Sequence, residues 1–343
     1  MNTNLINGLE KYGFIINDDF LEKINNRDET YIHNIISHLP VFIEYEIEGF
    51  RKSNTIIKYM DLKKSGDNKF ILDKYISEGT YNKSFIAKDT NNSNNLVAYR
   101  VLKAPIINES DKIENFIEYF IQAFLNVYCE NNKHNRILKL DKIGYSIKNN
   151  SISSICDLMN GTLYYILIKT KIEHKTKLSI LIKVINIVIN LLIDLQKNFN
   201  FTHNDLKSDN IFFKFKNNNA EDLYDVNNLS FYIGDFDSSI LKIDKHYIGN
   251  NYYNENYTFN KKKDLFLLIN SLFFSFNSDL WKETFFNNFK LVENINGNSD
   301  IFHSLYSYND DKIDDMYDPI NFRKLFDSYY GNIYSTKYKI DYQ

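Results

Sequence analysis

Phe201 to Phe213 reads FTHNDLKSDNIFF, and the reading of the fold turns on it. His203, Asp205 and Asn210 fit the spacing H-x-D-x-x-x-x-N, and Leu206 and Lys207 extend it to D-L-K-x-x-N. Phosphoryl transfer asks for positioning and charge stabilisation more than covalent chemistry: a cover over the phosphates, a cation on them, oxygen ligands for Mg²⁺, and a carboxylate to orient the attacking hydroxyl. A polar turn in so Asn-rich a chain could carry His, Asp and Asn by chance. The flanks argue otherwise, because a long apolar helical pattern precedes the loop and the apolar run Ile211-Phe212-Phe213 follows it.

Three further stretches fall in a consistent order around it. Downstream, Phe231 to Ser238 reads FYIGDFDS, an apolar strand ending in Asp235-Phe236. Upstream, Ile76 to Ala87 reads ISEGTYNKSFIA, and Val97 to Arg100 reads VAYR. Taken together, these residues resemble the eukaryotic protein kinases, whose phosphate-binding hairpin, V-A-I-K strand, catalytic loop and D-F-G motif follow one another in this order. The residue usage and loop style resemble the serine/threonine kinases of large DNA viruses or of A/T-rich protists.

What the resemblance implies is specific. Asp205 is the expected catalytic base, Lys207 the cation that offsets charge on the transferring phosphoryl group, and Asn210 and Asp235 the ligands of Mg²⁺. ATP is the expected cosubstrate. Gly79, Thr80 and Tyr81 fall in the phosphate hairpin, and Ala98 lies on the strand below the nucleotide. Arg100 stands where the family has its phosphate-pairing lysine, with Glu118 of the following helix as its acidic partner and Glu114 as the fallback. Leu125-Asn126 match the end of that helix. Lys103 is three residues past Arg100, and period-two alternation puts it on the other face of the strand. Lys83, in the phosphate loop, is a second candidate cation. Ile155 to Leu163 resembles the adenine-reading hinge, with Cys156 as gatekeeper and Asp157 and Met159 in the hinge; a plain buried strand and turn explains the same residues. Asp264, before the apolar run Leu265 to Phe276, is expected to anchor the catalytic-loop backbone or to cap a helix.

The chain also departs from the pattern. Ser77 and Asn82 replace the outer two glycines of the hairpin, which stiffens it. Arg100 is planar and longer than lysine. Asn204 replaces the arginine that couples the family's activity to a phosphorylated activation loop. Asp237 replaces the glycine of D-F-G. The stretch from Asp235 to Asp264 is short and lacks A-P-E, with Glu255 as a possible remnant. Three readings stay open: a serine/threonine protein kinase with a shortened activation segment, a small-molecule kinase of the aminoglycoside or choline kinase type, and a nucleotide-binding pseudokinase scaffold. The first is the expectation, because Lys207 and the hairpin are of protein-kinase type and the core polar residues are kept.

Composition narrows the setting. The net charge of -3 gives no global basic field, so nucleic acid is not the expected partner; a protein Ser/Thr substrate is. Lys261-Lys262-Lys263 reads as a solvated face. Two cysteines, Cys129 and Cys156, are too few for a disulfide framework or zinc cluster and fit a reducing compartment. The N-terminus is polar, without the pattern of a secretory signal. Leu178 to Leu195 is apolar but interrupted by Lys183, Asn186, Asn190 and Asp194, which suits a buried helix and not a membrane span. An intracellular, cytoplasmic protein is expected, in host cytoplasm or virion if the viral likeness holds.

Periodicity supplies the outline. Phe70 to Ile76, Ser84 to Lys88 and Leu96 to Leu102 read as a strand meander. Asp111 to Tyr128 has apolar residues at helical spacing. Ile137 to Ile147 and Ser151 to Leu158 read as strands. Helical patterns dominate from Leu178 on, broken by short strands at Ile211 to Phe215 and Ser230 to Ile233. The expected fold class is α+β, a two-lobed protein-kinase-like fold with a small β-rich N-lobe and a larger helical C-lobe. The expected boundaries are an N-terminal, mostly helical extension over 1–68, a kinase-like domain over 69–330 (N-lobe 69–157, C-lobe 161–330), and a tail over 331–343. The turn cluster Ser65-Gly66-Asp67-Asn68 marks the first boundary.

Overall fold

The computed structural model describes residues 3–45, 54–61, 68–78, 82–102, 109–132, 135–217, 223–249, 259–275, 285–289 and 310–337. The chain divides into two compact units: residues 1–132, 137–159 and 243–250 form unit 1, and residues 133–136, 160–242 and 251–343 form unit 2.

Unit 1 opens with three short helices, α1 (Thr3–Glu10), α2 (Asp18–Asn25) and α3 (Glu29–Ser37). Polar residues start two of them. Asn17 accepts a hydrogen bond from the Phe20 amide at 2.7 Å, and Asp28 accepts one from the Tyr31 amide at 3.0 Å, which satisfies N–H groups that a helix start leaves without partners. Seven strands follow: β1 (Val41–Tyr45), β2 (Ile56–Met60), β3 (Asn68–Glu78), β4 (Asn82–Asp89), β5 (Asn92–Leu102), β6 (Leu140–Ser146) and β7 (Ser151–Asp157), with helix α4 (Glu109–Asn131) between β5 and β6.

The strands close into a barrel in the order β1-β2-β3-β4-β5-β7-β6, a closure that the meander pattern alone does not specify. Closure depends on β1, which pairs antiparallel with β2 and parallel with β6 through Val41↔Tyr145 and Phe42↔Ser146. The expected extension therefore contributes two strands of the same barrel. Its boundary cluster falls between β2 and β3, and Ser65 to Asp67 lie outside the described residues. The physical reason is burial: Phe42, Ile57 and Tyr59 complete an apolar core with Phe70, Leu72, Ala87, Val97, Tyr99, Val101 and Ile155. Gly144 permits the closure, since a Cβ there would sit 2.6 Å from the Phe42 ring and 2.7 Å from the Pro40 carbonyl.

Unit 2 is built on α5 (His174–Phe199), which is long and apolar enough to cross a membrane by length and composition. Most of its apolar residues from Ile180 to Leu195 are buried, with Ile187 and Ile193 half-buried. The helix stops at Asn200, whose left-handed φ of 45° ends the ladder. Beside it lie β8 (Gly161–Thr162), β9 (Ile211–Phe215) and β10 (Leu229–Ile233) in the order β10-β9-β8. Then come β11 (Ile240–Ile243), α6 (Lys263–Ser275) and α7 (Pro319–Lys337). Helix α7 packs on α5 and runs into the expected tail. The lysine run is exposed at Lys261 and half-buried at Lys262 and Lys263, and it carries contacts: Lys261 pairs with Asp318, and Lys262 donates to the Ile313 carbonyl at 2.6 Å and reaches Asp315 at 3.2 Å.

One strand of unit 1 comes from late in the chain. β12 (His246–Gly249), after β11, packs against α2 and α4.

Candidate active site

The sequence-predicted residues fall into two sets, one in each unit. In unit 2 the loop after α5 is fixed from below by Asp264. Its buried carboxylate accepts hydrogen bonds from the His203 amide at 3.0 and 2.9 Å and from the Asn204 amide at 2.9 Å. Asp264 is thus the backbone anchor and not merely a cap. Burial raises its pKa, against the pull of His203 and the two amides. His203 is buried, its Nε2 facing the Gly234 carbonyl at 3.2 Å and its ring against Phe236.

This scaffold leaves the polar groups of the loop at one place. Lys207 Nζ donates to both carboxylate oxygens of Asp205, at 2.8 and 2.9 Å. Asn210 Nδ2 donates to the Asp205 carbonyl and to Asp205 Oδ2, each at 2.8 Å. Asn210 therefore has its Oδ1 to offer a cation. Burial alone would lower the Lys207 pKa, but the Asp205 carboxylate lifts it above the ordinary value of 10.5.

Asp235 arrives through the strand–turn joint. The Gly234 amide donates to the Asn210 carbonyl at 3.1 Å, and Asp235 takes a left-handed φ of 68°. That conformation is uncommon outside glycine and is held here by its surroundings. It brings carboxylate oxygens of Asp205, Asp235 and Asp237 within 4.8 Å of one another. In the sequence Asp237 replaces the glycine of D-F-G and adds a carboxylate near the expected metal, to ligate it or repel; the fold sets it beside Asp205 and Asp235. Three carboxylates so close repel unless cations offset them, and carboxylate oxygens are the hard ligands that Mg²⁺ prefers.

Asn204 also has a left-handed φ, 62°, which asparagine tolerates. Its Nδ2 donates to the Ser238 carbonyl at 3.1 Å. Ser239 Oγ donates to the His203 carbonyl at 3.2 Å, and Thr202 and Ile240 exchange backbone hydrogen bonds at 2.9 Å. The start of the segment after Asp235 is zipped to the catalytic loop.

In unit 1 Arg100 lies on β5. Tyr99 points into the barrel, so Ala98 and Arg100 lie on the outer face of β5. Arg100 Nη1 reaches Glu118 Oε1 at 3.2 Å, and the Glu118 side chain is only 2% exposed. Glu114, the fallback, faces Arg27 instead, at 3.9 Å. Register decides Lys83: it is paired with Val101, and Ser84 with Arg100. Paired residues share a face, so Lys83 lies on the barrel-interior side, away from Arg100. Lys103 lies outside the described residues, as do Gly79, Thr80, Tyr81 and Glu255.

Asn126, expected at a helix end, sits inside α4, where Nδ2 donates to the Leu138 carbonyl at 3.1 Å and Oδ1 accepts from the Leu140 amide at 2.6 Å. Gln122 donates to the same Leu138 carbonyl at 2.9 Å. Asp157 ends β7, its amide donating to the Lys139 carbonyl at 3.0 Å, and Met159 follows, half-buried. Cys156 is buried, and burial pushes its thiol up to about 11, an inert position.

No protein-family model and no curated protein matches the chain. Among solved structures it is similar to the BubR1 kinase domain, with a TM-score of 0.42 and 16% identity over 71% of this chain. The match spans 64% of that structure's chain.

Proposed function

We propose that the chain is an ATP- and Mg²⁺-dependent phosphotransferase whose acceptor is a serine or threonine hydroxyl of a protein. The observation that carries this reading is the assembly of Asp205, Lys207, Asn210 and Asp235 at one place in unit 2. Asp205 orients the acceptor hydroxyl and takes its proton as the oxygen attacks. Lys207 offsets charge on the phosphoryl group in transit. Asn210 Oδ1 and the carboxylates of Asp235 and Asp237 are the residues that would hold Mg²⁺. Mg²⁺, when bound, neutralises charge on the phosphate oxygens. Arg100, oriented by Glu118, supplies the cation for the nucleotide phosphates.

Asp237 favours a second reading, a small-molecule phosphotransferase, because a third carboxylate beside Asp205 alters the metal site from the protein-kinase pattern. One experiment covers both. Purified full-length chain is incubated with Mg²⁺ and γ-labelled ATP, alone, with generic basic proteins, and with a panel of small alcohols and amino sugars. Label on protein that is lost in Asp205→Asn and Asp235→Asn supports the first reading; label on a metabolite alone supports the second. Nucleotide binding without transfer to any acceptor would sink both.

A further inference from the structure

Residues 3–37 carry no recognisable chemistry in the sequence, yet they cover α4. One stripe of that helix, Glu118, Gln122 and Asn126, meets Arg100 and the Leu138–Leu140 backbone. Another, Phe116, Phe120 and Val127, meets the N-terminal helices: Phe14 lies edge-on to Phe116 and Phe120 at 5.6 and 5.3 Å, and Phe20 lies 5.4 Å from Phe120. A helix with one apolar stripe normally turns its other side to water. Here both sides are covered, so the position of α4 is over-determined.

The same helices also hold β12. Asp18, in the first turn of α2, takes His246 Nε2 at 2.9 Å and Lys245 Nζ at 3.1 Å. Arg27, between α2 and α3, has a left-handed φ of 53°. Non-glycine residues held in that region mark places where the surroundings impose the conformation. Its guanidinium spans two elements: Nη1 is 3.9 Å from Glu114 of α4, and Nη2 donates a long hydrogen bond, 3.4 Å, to the Gly249 carbonyl at the end of β12. Glu114 lies one helical turn before Glu118. Arg27 therefore links the helix that orients Arg100 to a strand from the segment downstream of Asp235.

We propose that Arg27 is a positioning residue: it locks α4 to β12 and so keeps Glu118 on Arg100 in the unmodified chain. The consequence for catalysis rests on the phosphotransferase reading above; the lock itself does not.

The test uses the full chain and three variants, Arg27→Ala, Arg27→Lys and Lys11→Ala. The last removes a different tie between the N-terminal helices and α4, the exposed Lys11–Glu130 pair at 2.9 Å. Phosphoryl transfer from Mg·ATP and amide hydrogen exchange are both measured. Arg27→Ala is expected to lower kcat about ten-fold or more, with KM for ATP changed less than about three-fold. It should also speed exchange over 246–249 and 114–118. Arg27→Lys should recover part of both effects, and Lys11→Ala should alter neither. Unchanged exchange in both segments overturns the lock, and faster exchange with unaltered kcat overturns its role in positioning. If Arg27→Ala does not fold, Glu114→Gln takes its place with the same expected and overturning results. If the wild-type chain transfers no phosphate, the phosphotransferase reading has failed, and exchange alone judges the lock: faster in both segments supports it, unchanged overturns it.

Discussion

Arg100 and Glu118 form a nearly buried ion pair between the outer face of β5 and the middle of α4, with Nη1 and Oε1 3.2 Å apart. Two charges taken out of water at this separation hold each other, and either one left alone there is costly. Arg100→Ala is expected to lower stability by about 3 kcal/mol and to reduce phosphoryl transfer about 100-fold. Arg100→Lys should keep part of the activity, since it keeps the charge but not the guanidinium geometry. Thermal melts and initial rates on the same preparations check both. Indifference of the rate to Arg100→Ala would remove it from the site.

Asn204 supplies a left-handed backbone position and a tie to Ser238. Asn204→Gly keeps the first and loses the second; Asn204→Ala loses both. The expected order of stability is wild type, then Gly, then Ala, spread over about 1 to 2 kcal/mol, as read from denaturant midpoints. Because a static carboxamide makes this tie, phosphatase treatment of the purified chain should leave the transfer rate unchanged. A large loss on phosphatase treatment would contradict that.

The Asp205–Lys207 contact has a pH signature. Lys207 is held above its ordinary value of 10.5, so the folded state binds its proton more tightly than the unfolded state. That contribution is fully present below about pH 10.5 and is lost as pH rises through the folded value. Lys207→Met should therefore lower stability at neutral pH, where the contribution is fully present, and flatten the alkaline limb above about pH 10, where the wild type loses it anyway. Urea titrations at stepped pH show whether the two limbs differ.

Cys129 and Cys156 are both buried thiols, and burial pushes the Cys156 thiol up to about 11. The native chain at pH 8 is expected to resist iodoacetamide at both positions and to label at both in denaturant. Mass spectrometry after timed exposure reads this directly. Fast labelling of Cys156 in the native chain would mean that β7 is not packed as described.

Gly8 is where α1 crosses α4: a Cβ there would strike Cγ1 of Val127. Gly8→Val should force the two helices apart and destabilise the chain by about 1 to 3 kcal/mol. Gly331, whose added Cβ would make only an ordinary contact with Asp327 at 3.7 Å, serves as the control, and Gly331→Ala should be neutral or slightly stabilising.

The candidate catalytic loop Phe201 to Phe213 is legible in the sequence because its residues are local to one another. Asp205, Lys207 and Asn210 lie within one turn and a short 3₁₀ helix, so their spacing along the chain nearly sets their spacing in the fold. The main strands and helices from β3 to α6 follow from hydrophobic period for the same reason.

What lies beyond the sequence depends on contacts between distant residues. Nothing in Val41 to Tyr45 says that it pairs with Leu140–Ser146 to close a barrel, and nothing in Lys83 says which residue of β5 it will face. The partners of Arg27, Glu114 and the Gly249 carbonyl, come from a helix and a strand far along the chain. Pattern along a chain reports which face of an element is apolar; it does not report what covers that face, because many distant segments could bury the same area. The residues that carry the chemistry are thus written locally, and the packing that holds them is decided by tertiary contact.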